Sequence, residues 1–216
     1  GGFPRYSVDR VWLVPHFEKM LYDNALLAGV YALAHRVTGD RRWREVAERT
    51  LDYLVREMQL PEGGFAAAQD ADSPGGEGAF FVWTAEDLEA ILTHDEAQAV
   101  VLRFGMRPEG NFEGANILHV AAAMEYVAQT VGPDAGLLIA SALGKMYAAR
   151  SVRPAPARDD KIVTSWNALT VQAFAEAGVA FGRNDYVAVA ARTADLLLER
   201  LYVDGRLRRT YAEGAA

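Results

Sequence analysis

The sequence predicts an all-α fold: part of a ring of paired helices, a partial helical toroid, with short β-hairpins at the helix ends. Three observations carry this expectation. Helical periodicity runs through most of the chain. A helix that is apolar almost all round is followed by one with a wet face. That pair then occurs a second time at a fixed spacing. Of the 216 residues, 51% are hydrophobic and 24% charged, an ordinary globular balance in a chain long enough to bury a sizeable core.

The elements follow in order. Pro15 can take the first helical position, where its missing N–H costs nothing, so a helix is expected from there to about Val37, with a stop at Gly39. Leu26, Leu27, Val30, Tyr31, Leu33, Ala34 and Val37 leave it almost no polar face, which predicts burial on most sides. The next helix, about Arg42 to Met58, carries one stripe of Val46, Ala47, Thr50, Leu51, Leu54 and Met58. Glu45, Glu48, Arg49, Asp52 and Arg56 face away from it. "GGFAAAQDADS" and "GAFFVWT" read as two short strands around a Gly-rich turn. Thr84 with Asp87 forms a capping-box pattern that opens a helix to about Leu92. Asp95–Phe104, Val120–Val131 and Asp134–Arg150 read as further helices, and "SVRPAPARDD" as an extended linker.

After the linker the first pair returns. Asn24–Glu57 aligns on Asn167–Arg200 at a constant offset of 143, with 12 identities in 34 positions and no gap. Asn24/Asn167, Gly39/Gly182, Arg49/Arg192, Thr50/Thr193 and Asp52/Asp195 are among them, matches that Ala-richness does not explain. Alternating buried and half-wet helices suggest two concentric rings, with the inner helix ends opening on a central cavity. A polar start to an apolar helix, "PHFEKMLYDN", fits a cavity mouth where such groups stay wet.

Composition excludes several functions. The formal charge of −7 does not favour nucleic acid or an anionic membrane. No segment reaches the ~18 unbroken apolar residues of a membrane span. With no cysteine, the chain carries no disulfide, zinc-thiolate or thiol chemistry. Lys and Arg total 22, yet only positions 19, 145 and 161 are Lys, a bias typical of a GC-rich bacterial genome. The start at Gly1-Gly2-Phe3 reads as an internal piece of a longer protein, with the cytoplasm as default location.

"GGFPRYSVD", "PHFEKMLYDNA", "EGGFAAAQDADS", "EGAFFVWT", "EGNFEGANIL" and "RDDKIVTSWNAL" together resemble the YyaL-like, or spermatogenesis-associated protein 20, family. The motifs spread from Gly1 to about Asn167, and the second repeat carries the match to about Tyr211. The resemblance implies an N-terminal thioredoxin-like domain followed by an (α/α)6 toroid of the six-hairpin glycosidase type. Residues 1–216 would be the middle of that single toroid domain. The thioredoxin-like domain, the remaining hairpins and any redox activity would lie outside it. Related toroids include glycoside hydrolases and sugar epimerases of the N-acylglucosamine 2-epimerase kind, which implies a saccharide ligand but no particular reaction.

The candidate chemistry lies at the starts of the two apolar helices. His16, Lys19 and Asp23 stand at i, i+3 and i+7, so a helix would place them on one face. His is the natural proton shuttle near neutral pH, and Asp can orient it or act with it. The local alternative is a helix start favoured by Glu18, with a Lys19–Asp23 pair worth only ~0.3–0.5 kcal/mol. Asp159, Asp160 and Lys161 occupy the matching place before Trp166-Asn167, where capping and a core Trp are the plain alternative. Asp70, Asp72 and Glu77 fit a solvated turn better than a cation site, though the acids could also reach a cavity from a hairpin.

The expected roles are His16 or Asp23 as acid/base and Asp160 as partner. Two carboxyls ~5–5.5 Å apart would give retention and ~6.5–9.5 Å inversion. Arg5, Tyr6, Glu18, Lys19, Tyr22, Asn24, Asp70, Asp72, Lys161, Trp166 and Asn167 are the expected ligand contacts, with Trp166 as a stacking platform beside Trp12, Tyr22 and Trp83. His119 is a further candidate for the cavity lining. No phosphate loop, dinucleotide fingerprint or Ser-His-Asp order is present, so no cofactor and no metal is expected. The reading is a glycosidase-like or epimerase/isomerase-like enzyme. The alternative is a non-catalytic scaffold that serves the attached thioredoxin-like domain. Inner-helix faces left open by missing hairpins would favour self-association.

Overall fold

The computed structural model describes residues 1–212. Its helices are α1 (Leu21–Thr38), α2 (Arg41–Tyr53), α3 (Ala85–Ile91), α4 (His94–Phe104), α5 (Met124–Val131), α6 (Ala135–Ser151), α7 (Thr164–Phe181) and α8 (Asn184–Leu196). The strands are pairs of residues, so the class is all-α with short β-hairpins, as expected of a partial (α/α)6 toroid. The chain packs as two compact units. The first takes Gly1–Tyr6, His16–Ala71 and the chain from Ala157 on; the second takes Ser7–Pro15 and Asp72–Pro156.

The first unit holds both repeats, α1–α2 and α7–α8. The offset of 143 read from the sequence holds for the bounds of both helix pairs. It extends to a π turn that ends each outer helix, Leu54–Met58 and Leu197–Leu201. Gly39 and Gly182 stop the inner helices in the left-handed conformation, at φ 71° and 69°, where a Cβ would be strained. The inner helices α1 and α7 pack on one another and each is covered by its own outer helix. Leu21, Leu51, Leu54, Phe65, Phe174, Tyr186 and Leu201 form the core, with Phe65 stacked on Phe174 at 5.6 Å.

Two expectations for α1 are corrected. The helix begins at Leu21, not Pro15, because Lys19–Met20 pairs with Ala68–Gln69, which in turn pairs with Arg158–Asp159 in a three-stranded antiparallel sheet. A strand's backbone groups are spent on its neighbours, so the helix cannot start before the ladder ends. His16, Lys19 and Asp23 therefore share no helix face. Nor is α1 covered on most sides. Leu26, Val30, Leu33 and Val37 are 51–77% exposed and form a stripe at i, i+4, i+7 and i+11. That stripe is the kind of surface on which the expected self-association depends.

The second unit is built on paired caps. Thr84/Asp87 and Thr93/Glu96 both form complete capping boxes, opening α3 and α4. Buried Glu96 also accepts from Lys145 at 2.7 Å and Ser141 at 2.7 Å, tying α4 to α6. Trp83, Leu88, Val100, Val127, Ile139 and Met146 form its core. "GAFFVWT" is not a strand: Phe81 and Val82 both donate to the Gly78 carbonyl, which closes a turn, and only Trp83 bridges to Asn116. Helix α5 starts at Met124, not Val120, because the N–H groups of Ala121 and Ala122 are given to Arg103 O. Among the described residues no helix is long and apolar enough to cross a membrane.

Candidate functional site

The three-stranded sheet, the residues leading into α1 and the first turn of α7 line an open cavity of about 390 Å³ in the first unit. Met20, Ala67, Ala68, Ala157, Val163 and Trp166 supply its apolar wall, and Glu18, Asp70, Arg158, Asp159 and Lys161 its polar groups. Glu18 and Lys161 occupy the same repeat position, so the duplication sets opposite charges at equivalent places. Lys161 Nζ donates to Asp159 Oδ2 at 3.2 Å. Trp166 packs on Tyr22 with ring centroids 4.9 Å apart, which fixes the indole at the rim.

Glu18 joins this cavity to a second cluster. Its Oε2 accepts from Arg5 Nη1 at 3.0 Å and lies 3.5 Å from His16 Nε2, while His16 stacks on Tyr6 at 4.8 Å. Asp23 is near both charges. Burial pushes its carboxyl above the usual carboxylate range, Arg5 opposes this and Glu18 adds to it. Its Oδ2 is shut off from solvent and has no hydrogen-bond partner among the described residues. Asp23, like Arg5, Tyr6, His16 and Tyr22, does not itself line the cavity and is linked to it through Glu18. A carboxyl that resists ionisation is suited to hold and release a proton.

Several expected site residues lie elsewhere. Asp160 is exposed and ion-paired to Arg158, and it is not on the cavity wall, which its neighbours Arg158, Asp159 and Lys161 line. Lys19 is buried, with its ammonium 3.3 Å from Gly1 O and over the Tyr53 ring at 4.6 Å. Asn24 and Asn167 are fully buried. Each amide is spent on backbone: Asn24 on Phe3 N, Phe3 O and Met20 O, Asn167 on Phe65 N, Phe65 O and Val163 O. They are structural clamps with nothing left for a ligand. Asp72 belongs to the second unit, opposite Glu77 in a hairpin. Trp83 is core there, with the Arg153 guanidinium 4.0 Å from its ring. Trp12 is 85% exposed on a loop whose Val11, Leu13 and Val14 N–H groups donate to Asp9.

Arg158 was not singled out as a site residue, and Asp159 was named in the cluster but given no role. The available signal was the repeat, since Asp159 stands where His16 does. Among the described residues no three His, Cys, Asp or Glu side chains are grouped closely enough to hold a metal ion.

Fold and site thus define a protein of duplicated α/α hairpins with a polar cavity at the inner helix starts. The chain is a relative of the spermatogenesis-associated protein 20 proteins, as the motifs indicated. It is 35% identical to that protein of Homo sapiens and of Mus musculus, over 99% of this chain and 31% of each relative. It is 30% identical to the uncharacterized protein B0495.5 of Caenorhabditis elegans, over 99% of this chain and 33% of that one. The chain spans about a third of the length of these relatives. They are animal proteins, so the bacterial origin suggested by the Arg bias has no support from them. No family model matches the chain.

Among solved structures, the chain is similar to a D-mannose isomerase (TM-score 0.33, 15% identity, 98% of this chain and 49% of that one). It is also similar to the cellobiose 2-epimerase of Spirochaeta thermophila (TM-score 0.26, 16% identity, 94% and 65%). Likeness at that level says nothing about activity.

Proposed function

We propose that the cavity is a saccharide site and that Asp23 is its general acid–base, in a reaction of the sugar isomerase, epimerase or glycoside hydrolase kind. The observation that supports this best is the Asp23 carboxyl: poorly solvated, with one oxygen unpartnered, and its pKa raised by burial. Such a group delivers a proton near neutral pH more readily than an ordinary carboxylate. Trp166 offers an aromatic face for a sugar ring, and Glu18, Asp70, Asp159 and Lys161 offer groups that bond hydroxyls. With Asp160 off the wall, Asp159 takes its place as the partner carboxylate in this reading.

The test is thermal stability of the chain across a panel of mono- and disaccharides. A ligand at about 100 times its Kd adds ~2.7 kcal/mol. The reading expects such a shift for at least one sugar, its loss in Trp166→Ala, and loss of turnover with retained binding in Asp23→Asn. No shift with any sugar would sink the saccharide site. Unchanged turnover in Asp23→Asn would sink the acid–base role alone.

A further inference from the structure

The two asparagine clamps follow one rule. Asn24 Oδ1 accepts from Phe3 N at 2.6 Å and its Nδ2 donates to Phe3 O at 3.1 Å; Asn167 does the same to Phe65 at 2.8 and 3.0 Å. Both targets end a Gly-Gly-Phe segment, Gly1–Phe3 and Gly63–Phe65. Both asparagines are the fourth residue of an inner helix.

The geometry at Phe65 explains the grip. It faces Gln59 across an antiparallel bridge flanked by Leu60 N→Gly64 O (2.8 Å) and Ala66 N→Met58 O (2.9 Å). In such a non-hydrogen-bonded pair the N–H and C=O of Phe65 point out to the open edge, where one primary amide satisfies both.

The exit from the second repeat builds the same edge again. Asp204 and Gly205 have φ of 52° and 73°, the two positive values of a two-residue hairpin turn. They set Leu207 opposite Tyr202, and Arg208 N donates to Leu201 O at 2.7 Å. Leu207 is therefore the counterpart of Phe65, with its N–H and C=O turned outward. It is 57% exposed and carries no such amide among the described residues.

We infer that the edge at Leu207 is a docking site for the Asn amide in the first turn of a further apolar inner helix. The occupant is a helix of the α1/α7 kind because the site continues an interface already present: the exit of one hairpin gripped by the next inner helix. A partner without that amide would leave a peptide donor and acceptor unpaired on burial.

The probe is an unlabelled peptide of residues 160–181, which contains Asn167, added to the 15N-labelled chain. The expected result is a shift of the Leu207 amide signal and about tenfold slower exchange of its proton with solvent, neither of which the Asn167→Ala peptide produces. An unchanged Leu207 signal, or equal shifts from both peptides, would overturn the inference. A Leu207 signal that shifts with chain concentration in the absence of peptide would make a second copy the occupant and overturn the assignment to a further hairpin.

Discussion

The Tyr186 hydroxyl donates to Asp52 Oδ1 at 2.6 Å, fastening the outer helix of one repeat to the outer helix of the other. The hydroxyl is also 3.3 Å from Glu48 O, and Arg183 lies over the ring at 4.0 Å. Tyr186 is 1% exposed, whereas the Asp52 side chain is 49% exposed and can return to water if the bond is lost. Tyr186→Phe should therefore destabilise by about 1–2 kcal/mol, the lower part of the range for bonds to charged groups. Urea unfolding of the two proteins measures it, and no change in midpoint would mean the bond contributes nothing net.

Asn167→Ala should cost more than Asn24→Ala. Each removes three backbone hydrogen bonds, but Phe65 is fully buried and Phe3 is only half-buried, so water can replace the lost amide at Phe3 alone. About 2–4 kcal/mol is expected at Asn167 and about half of that at Asn24. Parallel denaturation curves rank them, and the reverse order would contradict the clamp.

Two carboxyls make opposite contributions with pH. Glu96 is held at about 2 by Lys145, Ser141 and the Thr93 N–H. Its folded value lies below the unfolded one, so its stabilisation is complete above about pH 4.5 and is lost as pH falls toward 2. Asp23 is raised by burial, so its folded form binds the proton more tightly and its ionisation costs stability as pH rises through the carboxylate range and above. Thermal melts from pH 2 to 7 should show Glu96→Gln flattening the acid loss. Asp23→Asn should be at least as stable as the parent at pH 7, with the difference closing in acid.

Gly178→Ala sets two effects against each other. In a helix interior Ala is favoured over Gly by ~1 kcal/mol. A Cβ at Gly178 would, however, stand 2.7 Å from Val187 Cγ2 and 3.0 Å from Val187 N, where α7 and α8 meet. Overpacking against backbone costs typically ~1–3 kcal/mol, so net destabilisation is expected by calorimetry.

Much of the fold was legible because duplication writes the same helix twice. Gly39/Gly182, the Thr84 capping box and the stripe of α2 each carry a local physical signal, and the structure contains all three. The start of α1 was not legible, since nothing in "PHFEKM" states that Ala68–Gln69 will pair with it from fifty residues away. The exposed stripe of Leu26, Val30, Leu33 and Val37 was misjudged for a related reason. Apolarity says that a face seeks cover, not that cover is at hand. Of the residues named from type alone, Glu18, Asp70, Lys161 and Trp166 line the cavity and Asp23 does not. Residue type did not distinguish Asp159, which lines the cavity, from Asp160, which does not. Asn24 and Asn167 were read as polar ligand groups, because the Phe3 and Phe65 backbones that they clamp lie 21 and 102 residues away in the sequence.

The donation from Asp70 N to Ala157 O, at 2.8 Å, has a consequence for how this chain tolerates change. It continues the ladder one step beyond the Gln69–Arg158 pair, so two points of the first unit 87 residues apart along the chain are fastened side by side. Residues added between them lengthen a loop whose ends are already closed, and each doubling of such a loop costs only ~0.6 kcal/mol.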